Sequence, residues 1–242
     1  MKILILFFLI FHISHVNADE IYNLIKIPNL EIYKLKNDNN IRYLSAKGNF
    51  KIGVNKNITC DKVNIDSLNS KFSLIEKNLN LYNSVFLNKI KLKYIVFCEN
   101  LLISGINTGG IPDNKNRTLI LDINFNQKYF ERMIHHEVFH MIQNSHSNFF
   151  DEDKFSSFNK TSFNYAKCST CSERLNLDLY ENTNGFLTEY SKSIPSEDMA
   201  EIFSFLMTDK NIIKEKIKND KVLSNKVNFI IFNLAKIDKN IL

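Results

Sequence analysis

Long basic runs are missing from this chain of 242 residues, although its net charge is +5. The lysines are balanced by nearly as many acids, so nothing reads as a nucleic-acid groove. Beyond the first twenty residues no stretch is long and apolar enough to span a bilayer. There is no internal repeat and no clean linker, which favours a single domain with a sizeable core. Imidazoles are few and unevenly placed. Of six, His12 and His15 lie near the start, and the other four fall between His135 and His146. A site that needs further ligands must take them from another residue type.

The start, MKILILFFLIFHISHVNADE, reads as a secretory signal over residues 1–18. Lys2 supplies the positive end, Ile3 to Ile13 the apolar run, and Val16-Asn17-Ala18 the small-residue cleavage pattern. No Cys stands at the cleavage point, which argues against a lipid anchor. The expectation is an exported protein (secreted, or periplasmic in a Gram-negative host) whose residues 19–242 form one domain. Asn57, Asn116 and Asn159 head sequons that an Asn-rich chain also produces by accident. Four cysteines fit an oxidising compartment. Cys168 and Cys171 form one C-x-x-C without a second such pair or a nearby His, so structural disulfides are the better reading. The expected pairing is 60–98 and 168–171, with three pairings open in principle.

Residues 19–64 carry four short β-branched stretches, IYNLIKI, LEIYKL, IRYLSA and FKIGV. From Asp66, a suitable cap, the positions Leu68, Phe72, Ile75, Leu79, Tyr82 and Phe86 recur at helical spacing. LKYIVFCENLLISG and TLILDINF are neighbouring strand candidates joined by the loop NTGGIPDNKN, with one near a substrate cleft. Asn126 then caps a helix whose Phe130, Ile134, Val138 and Met141 share one face. A polar stretch follows, then a helix from about Ser196 to Met207 and two more over 210–240. Strands early and helices late indicate an α+β fold, with a cleft between 19–143 and 144–242.

His136, Glu137 and His140 spell H-E-x-x-H. Four apart, the two imidazoles lie together on the helix face opposite the apolar one. Both can bind one zinc ion, while Glu137 can reach a metal-bound water and take its proton. His135 points about a quarter-turn away and reads as a packing or surface residue. Two candidates compete for the third ligand. His146 gives H-E-x-x-H-x-x-Q-x-x-H, but the turn that would bring it back favours Gly where Gln143 stands. The other candidate lies in GFLTEYSKSIPSEDMAEIF, where Glu197 and Glu201 share a helical face. Glu197 could bind zinc, Glu201 could hold a ligand imidazole, and Tyr190 could donate to an oxyanion. The same residues also suit an acidic first turn capped by Ser196.

H-E-V-F-H followed by Y-x6-E-D-M-A-E resembles the gluzincin group of zinc metallopeptidases. The likeness extends to zinc-binding metallopeptidases of bacterial exported proteins and to the protease domain of anthrax lethal factor, over roughly residues 126–207. The resemblance implies a zincin-like fold and a zinc-dependent endopeptidase acting on peptide or protein substrates, with one Zn2+ per chain. It implies His136, His140 and Glu197 as ligands, Glu137 as general base, Tyr190 as oxyanion donor and Glu201 as supporting acid. The sequence departs from the pattern at Pro195-Ser196, where spacing and helix start could shift by a residue, so Glu201 stays open as the alternative to Glu197. The competing class is an exported, disulfide-stapled binding or structural protein with an accidental or inactive H-E-x-x-H.

Overall fold

The computed structural model describes residues 27–35, 37–169 and 174–242. The expected signal segment, most of IYNLIKI and the Cys171 half of the 168–171 pairing lie outside them. Eight strands form one mixed sheet: β1 (Leu30–Lys34), β2 (Arg42–Ala46), β3 (Phe50–Ile52), β4 (Ile58–Asp61), β5 (Tyr94–Ile103), β6 (Ile106–Asn107), β7 (Gly110–Asp113) and β8 (Thr118–Asp122). The ten-residue β5 is its spine. The first half of β5 pairs in parallel with β2 on one side and β8 on the other. Its second half pairs antiparallel with β4 and β6. β1 and β7 add antiparallel to β2 and β8.

The parallel β2–β5 pair needs a long crossover, and helices supply it. These are α1 (Ile65–Leu79) and α2 (Ser84–Lys89). They correct two expectations. Asn64 rather than Asp66 caps α1, its side chain accepting from the amides of Asp66 and Ser67. The helical pattern from Leu68 to Phe86 is also broken, because Asn83 opens a new helix with its own cap. Tyr82 keeps its helical-looking spacing only because both helices pack on the same core.

Side chains alternate along β5, and this sets the layers. Ile95 and Phe97 join Tyr43, Leu119 and Leu121 in the core beneath the helices. Tyr94, Val96 and Cys98 join Leu44, Phe50 and Cys60 on the other face. There a disulfide joins Cys60 to Cys98, as expected, with Cα atoms 6.0 Å apart.

The stretch NTGGIPDNKN is a third correction, since it contains the edge strand β7. Pro112 tells against a central strand but is tolerated at an edge, where its missing N–H removes no interior ladder bond. After β8 come α3 (Phe130–Ser145), α4 (Glu152–Ser156), α5 (Pro195–Thr208), α6 (Lys210–Asn219) and α7 (Lys221–Ile237). The Asn126 side chain caps a 3-10 turn, Gln127–Tyr129, that runs directly into α3. α5 starts one residue earlier than expected. Ile194 occupies the cap and Pro195 the first helical position, so Ser196 does not cap it. α3 and α5 pack on each other, and β7 lies against α3. The chain is α+β. No helix among the described residues is long and apolar enough to cross a membrane.

Candidate metal centre

The buried stripe of α3 contains Phe130, Ile134, Val138 and Met141, which anchor it in the core. Its other face lies in a cleft of about 1100 Å³, with His136, Glu137 and His140 in the lining. α5 brings Glu197 and Glu201 to the same place from some sixty residues down the chain. Three ligand-type atoms converge there. His136 Nε2 lies 2.8 Å from Glu197 Oε2, and His140 Nε2 lies 3.2 Å from both.

Ligand atoms of a tetrahedral zinc, at bonds of about 2.0–2.1 Å, stand roughly 3.3 Å apart. The observed triangle is slightly tighter, and its donor set of two imidazoles and a carboxylate is one that zinc accepts. The residues present therefore fit the ion. Among the described residues, His136, His140 and Glu197 are the group that could hold a metal.

Glu201 lies behind the triad. Its Oε1 is 3.0 Å from His136 Nδ1, so that nitrogen keeps its proton and directs Nε2 toward Glu197. Glu201 Oε2 accepts from the Thr188 hydroxyl at 3.0 Å and lies 3.7 Å from an Arg132 Nη. Thr188 in turn accepts from the Ser191 amide, in the turn that carries Tyr190. The Tyr190 ring stacks on His136, with centroids 5.8 Å apart. Thr188 and Arg132 are the supporting residues that sequence reasoning missed. Arg132 stands one turn before His136, a spacing that could have flagged it.

Charge at the site follows from burial and proximity. Burial pulls the His136 imidazole down, but hydrogen bonds to Glu197 and Glu201 outweigh it and lift the pKa to about 10. Burial raises Glu197, yet His140 and His136 together hold it below the usual carboxylate range. Glu137 is pushed up by burial, with the imidazoles opposing. Tyr190 is raised well above 10 by burial and the surrounding carboxylates, so its phenol stays a donor.

The two remaining histidines lie elsewhere. His135 is buried against Tyr82 and Asn78, its Nδ1 2.5 Å from the Tyr82 hydroxyl and its Nε2 2.9 Å from Asn78 Oδ1. Burial lowers its pKa to about 3, so it is a neutral packing residue. α3 runs straight through Gln143 to Ser145. His146 ends the helix, stacked on Phe149 and outside the ligand group.

Residues 112–232, half of the chain, match the model of the family described as "Putative zinc-binding metallo-peptidase". The chain belongs to this family. The matched region begins in β7 and spans α3 and α5, so both halves of the triad fall within it. A crystal structure under the same description, from Bacteroides caccae ATCC 43185, is 17% identical to the chain. The alignment covers 79% of this chain and 80% of that one, with a TM-score of 0.49. No curated protein matches the chain.

Proposed function

We propose that the chain is an exported, zinc-dependent metalloendopeptidase whose residues 19–242 form one catalytic domain with the cleft between 19–143 and 144–242. The observation that carries this reading is the triangle of His136, His140 and Glu197 at the cleft, flanked by Glu137 and Tyr190. These three residues hold one zinc ion per chain. Bound there, zinc supplies a Lewis acid that acidifies a coordinated water and polarises a carbonyl.

The chain's own residues do the rest. Glu137 takes a proton from the attacking water and returns it to the leaving amine. Burial raises its pKa, which makes it a stronger base and suits a group that must take a proton and return it. Tyr190, kept protonated, donates to the developing oxyanion. Glu201 fixes the ring and tautomer of His136, and Thr188 orients Glu201. A cleft of about 1100 Å³ has room for several residues of a peptide, which supports internal cleavage over trimming. The edge strand β7 offers an extended backbone beside it. The Cys60–Cys98 disulfide supports export.

The test measures metal content and cleavage of a protein substrate together. Purified protein should carry one zinc, lost in His136→Ala. Glu137→Gln should keep the zinc and cleave nothing. A metal-free wild type that cannot be loaded would end this reading, and so would a Glu137→Gln variant that still cuts.

A further inference from the structure

Gly110 opens β7 where it faces the cleft, Gly109 immediately precedes it, and neither has a positive φ. Backbone conformation therefore does not require glycine at either position; space does. A Cβ at 109 would lie 2.2 Å from Met133 Cγ, 3.1 Å from its Sδ and 3.3 Å from Phe125 Cδ2. A Cβ at 110 would lie 2.6 Å from Glu137 Cγ, 3.0 Å from its Cδ and 3.0 Å from the Ile120 carbonyl oxygen. Met133 and Glu137 stand one turn apart on α3, so the start of β7 lies flat against the cleft face of that helix.

The two positions differ in what can yield. At 109 the obstacle is a flexible thioether chain, which can re-pack. At 110 it is the Glu137 side chain on one side and the backbone of β8 on the other. β8 cannot retreat, because it is paired with β5 as well as with β7. Nor can β7 lift away freely. Gly110 is registered opposite Leu121, its carbonyl accepts from the Thr108 hydroxyl, and the Gly109 carbonyl accepts from the Asp122 amide at 2.9 Å. A side chain at 110 is therefore accommodated by moving Glu137.

We propose that Gly110 is a positioning residue of the reaction: lacking a side chain, it lets β7 press on Glu137 and fixes where that carboxylate sits beside the triad. The proposal rests on Glu137 being the proton acceptor described above. Gly110 touches neither metal nor substrate through a side chain, and it acts only through Glu137. Gly109, the residue just before the strand, supplies the internal control.

Gly110→Ala and Gly109→Ala are compared with wild type, in the full chain, for zinc content, melting temperature, and kcat and KM on a fluorogenic peptide that wild type cleaves. Gly110→Ala should retain one zinc and lose kcat by roughly 10- to 100-fold, with KM within about twofold, as expected for a reacting group displaced by up to about an ångström. Gly109→Ala should shift KM through Met133 while leaving kcat within about threefold. Equal losses of kcat in the two variants would show general damage to this segment and overturn the proposal.

Two readouts need no activity. The melting temperature lost in Gly110→Ala should be largely recovered in the double variant with Glu137→Ala, where the obstructing side chain is gone. A crystal structure of metal-free Gly110→Ala should show the Glu137 carboxylate displaced. No recovery, or an unmoved carboxylate, overturns the proposal. If wild type proves to cleave no peptide, the functional reading fails, and these two measurements still decide Gly110.

Discussion

Replacing Lys226 by Met should be among the most damaging single changes outside the cleft. Lys226 and its partner Asp198 are both 0% exposed, with Nζ 2.7 Å from Asp198 Oδ2. The ammonium also donates to the Gly185 carbonyl at 2.8 Å and sits 3.7 Å from the centroid of the Phe186 ring. Asp198 receives one other side-chain bond, from the Tyr165 hydroxyl at 2.6 Å, and its Oδ1 has no partner. Lys226→Met fills the same space but leaves a buried carboxylate with a single donor. Breaking a buried pair in this way costs about 3–5 kcal/mol. For a chain of this size that is a fall in melting temperature of roughly 6–20 °C. Burial already raises Asp198 and lowers Lys226 despite their attraction, so desolvation outweighs the pairing. The pair is therefore costly to break but not costly to replace, and Lys226→Met with Asp198→Asn should recover at least half of the loss.

The sign with pH follows from the same groups. Without Lys226 the native pKa of Asp198 rises further above its ordinary value of 3.8. The deficit is then complete above that raised value and shrinks as the pH falls towards 3.8. Thermal and urea unfolding of the two variants between pH 4 and 8 check this. A loss under about 1 kcal/mol at pH 7, or a double variant as weak as the single one, would contradict a costly unpaired carboxylate at Asp198.

Three further outcomes are expected at the site. Glu197→Ala should weaken zinc binding by more than about a hundredfold, beyond the effect of losing an outer partner, while His146→Ala should change it little. Metal titration of both variants decides between the branches. Tyr190→Phe should lower kcat by about 10²–10³, the range for losing an oxyanion donor, with little change in KM in steady-state kinetics. Metal-free His136, with a pKa of about 10, is protonated at neutral pH, so zinc must displace its proton. Zinc affinity should accordingly rise about tenfold per pH unit between pH 6 and 8, and calorimetry in two buffers should detect the released proton. A flat profile would contradict the charge state assigned to His136.

The candidate metal half-site was legible because a helix makes neighbours of residues four apart, and both H-E-V-F-H and E-D-M-A-E use that spacing. What joined them was legible only through resemblance, since no local pattern states that α3 and α5 will pack together. The disulfide between Cys60 and Cys98 could be anticipated, but not that β4 and β5 pair to form it. β7 was hidden because Gly and Pro mark loops far more often than edge strands. Thr188 sat in plain view in GFLTEY, yet nothing nearby indicates which hydroxyl a buried Glu201 will find. His135 likewise depends on Tyr82 and Asn78, which reach it from the crossover between β2 and β5.

The division of the triad between α3 and α5 has a mechanical consequence. Neither helix carries three ligands, so an ion bound there acts as a bolt between two parts of the chain about sixty residues apart. Without it, His136 still bridges Glu197 and Glu201 through its protons, as a weaker clasp that opens when the imidazole deprotonates. Stripping the metal should therefore loosen the junction of α3 with α5 before the sheet. At free zinc a hundredfold above its dissociation constant, the bolt adds about 2.7 kcal/mol to native stability. Hydrogen exchange with and without a chelator should find the change concentrated along α5 and the turn at Tyr190, leaving β5 and β8 as protected as before.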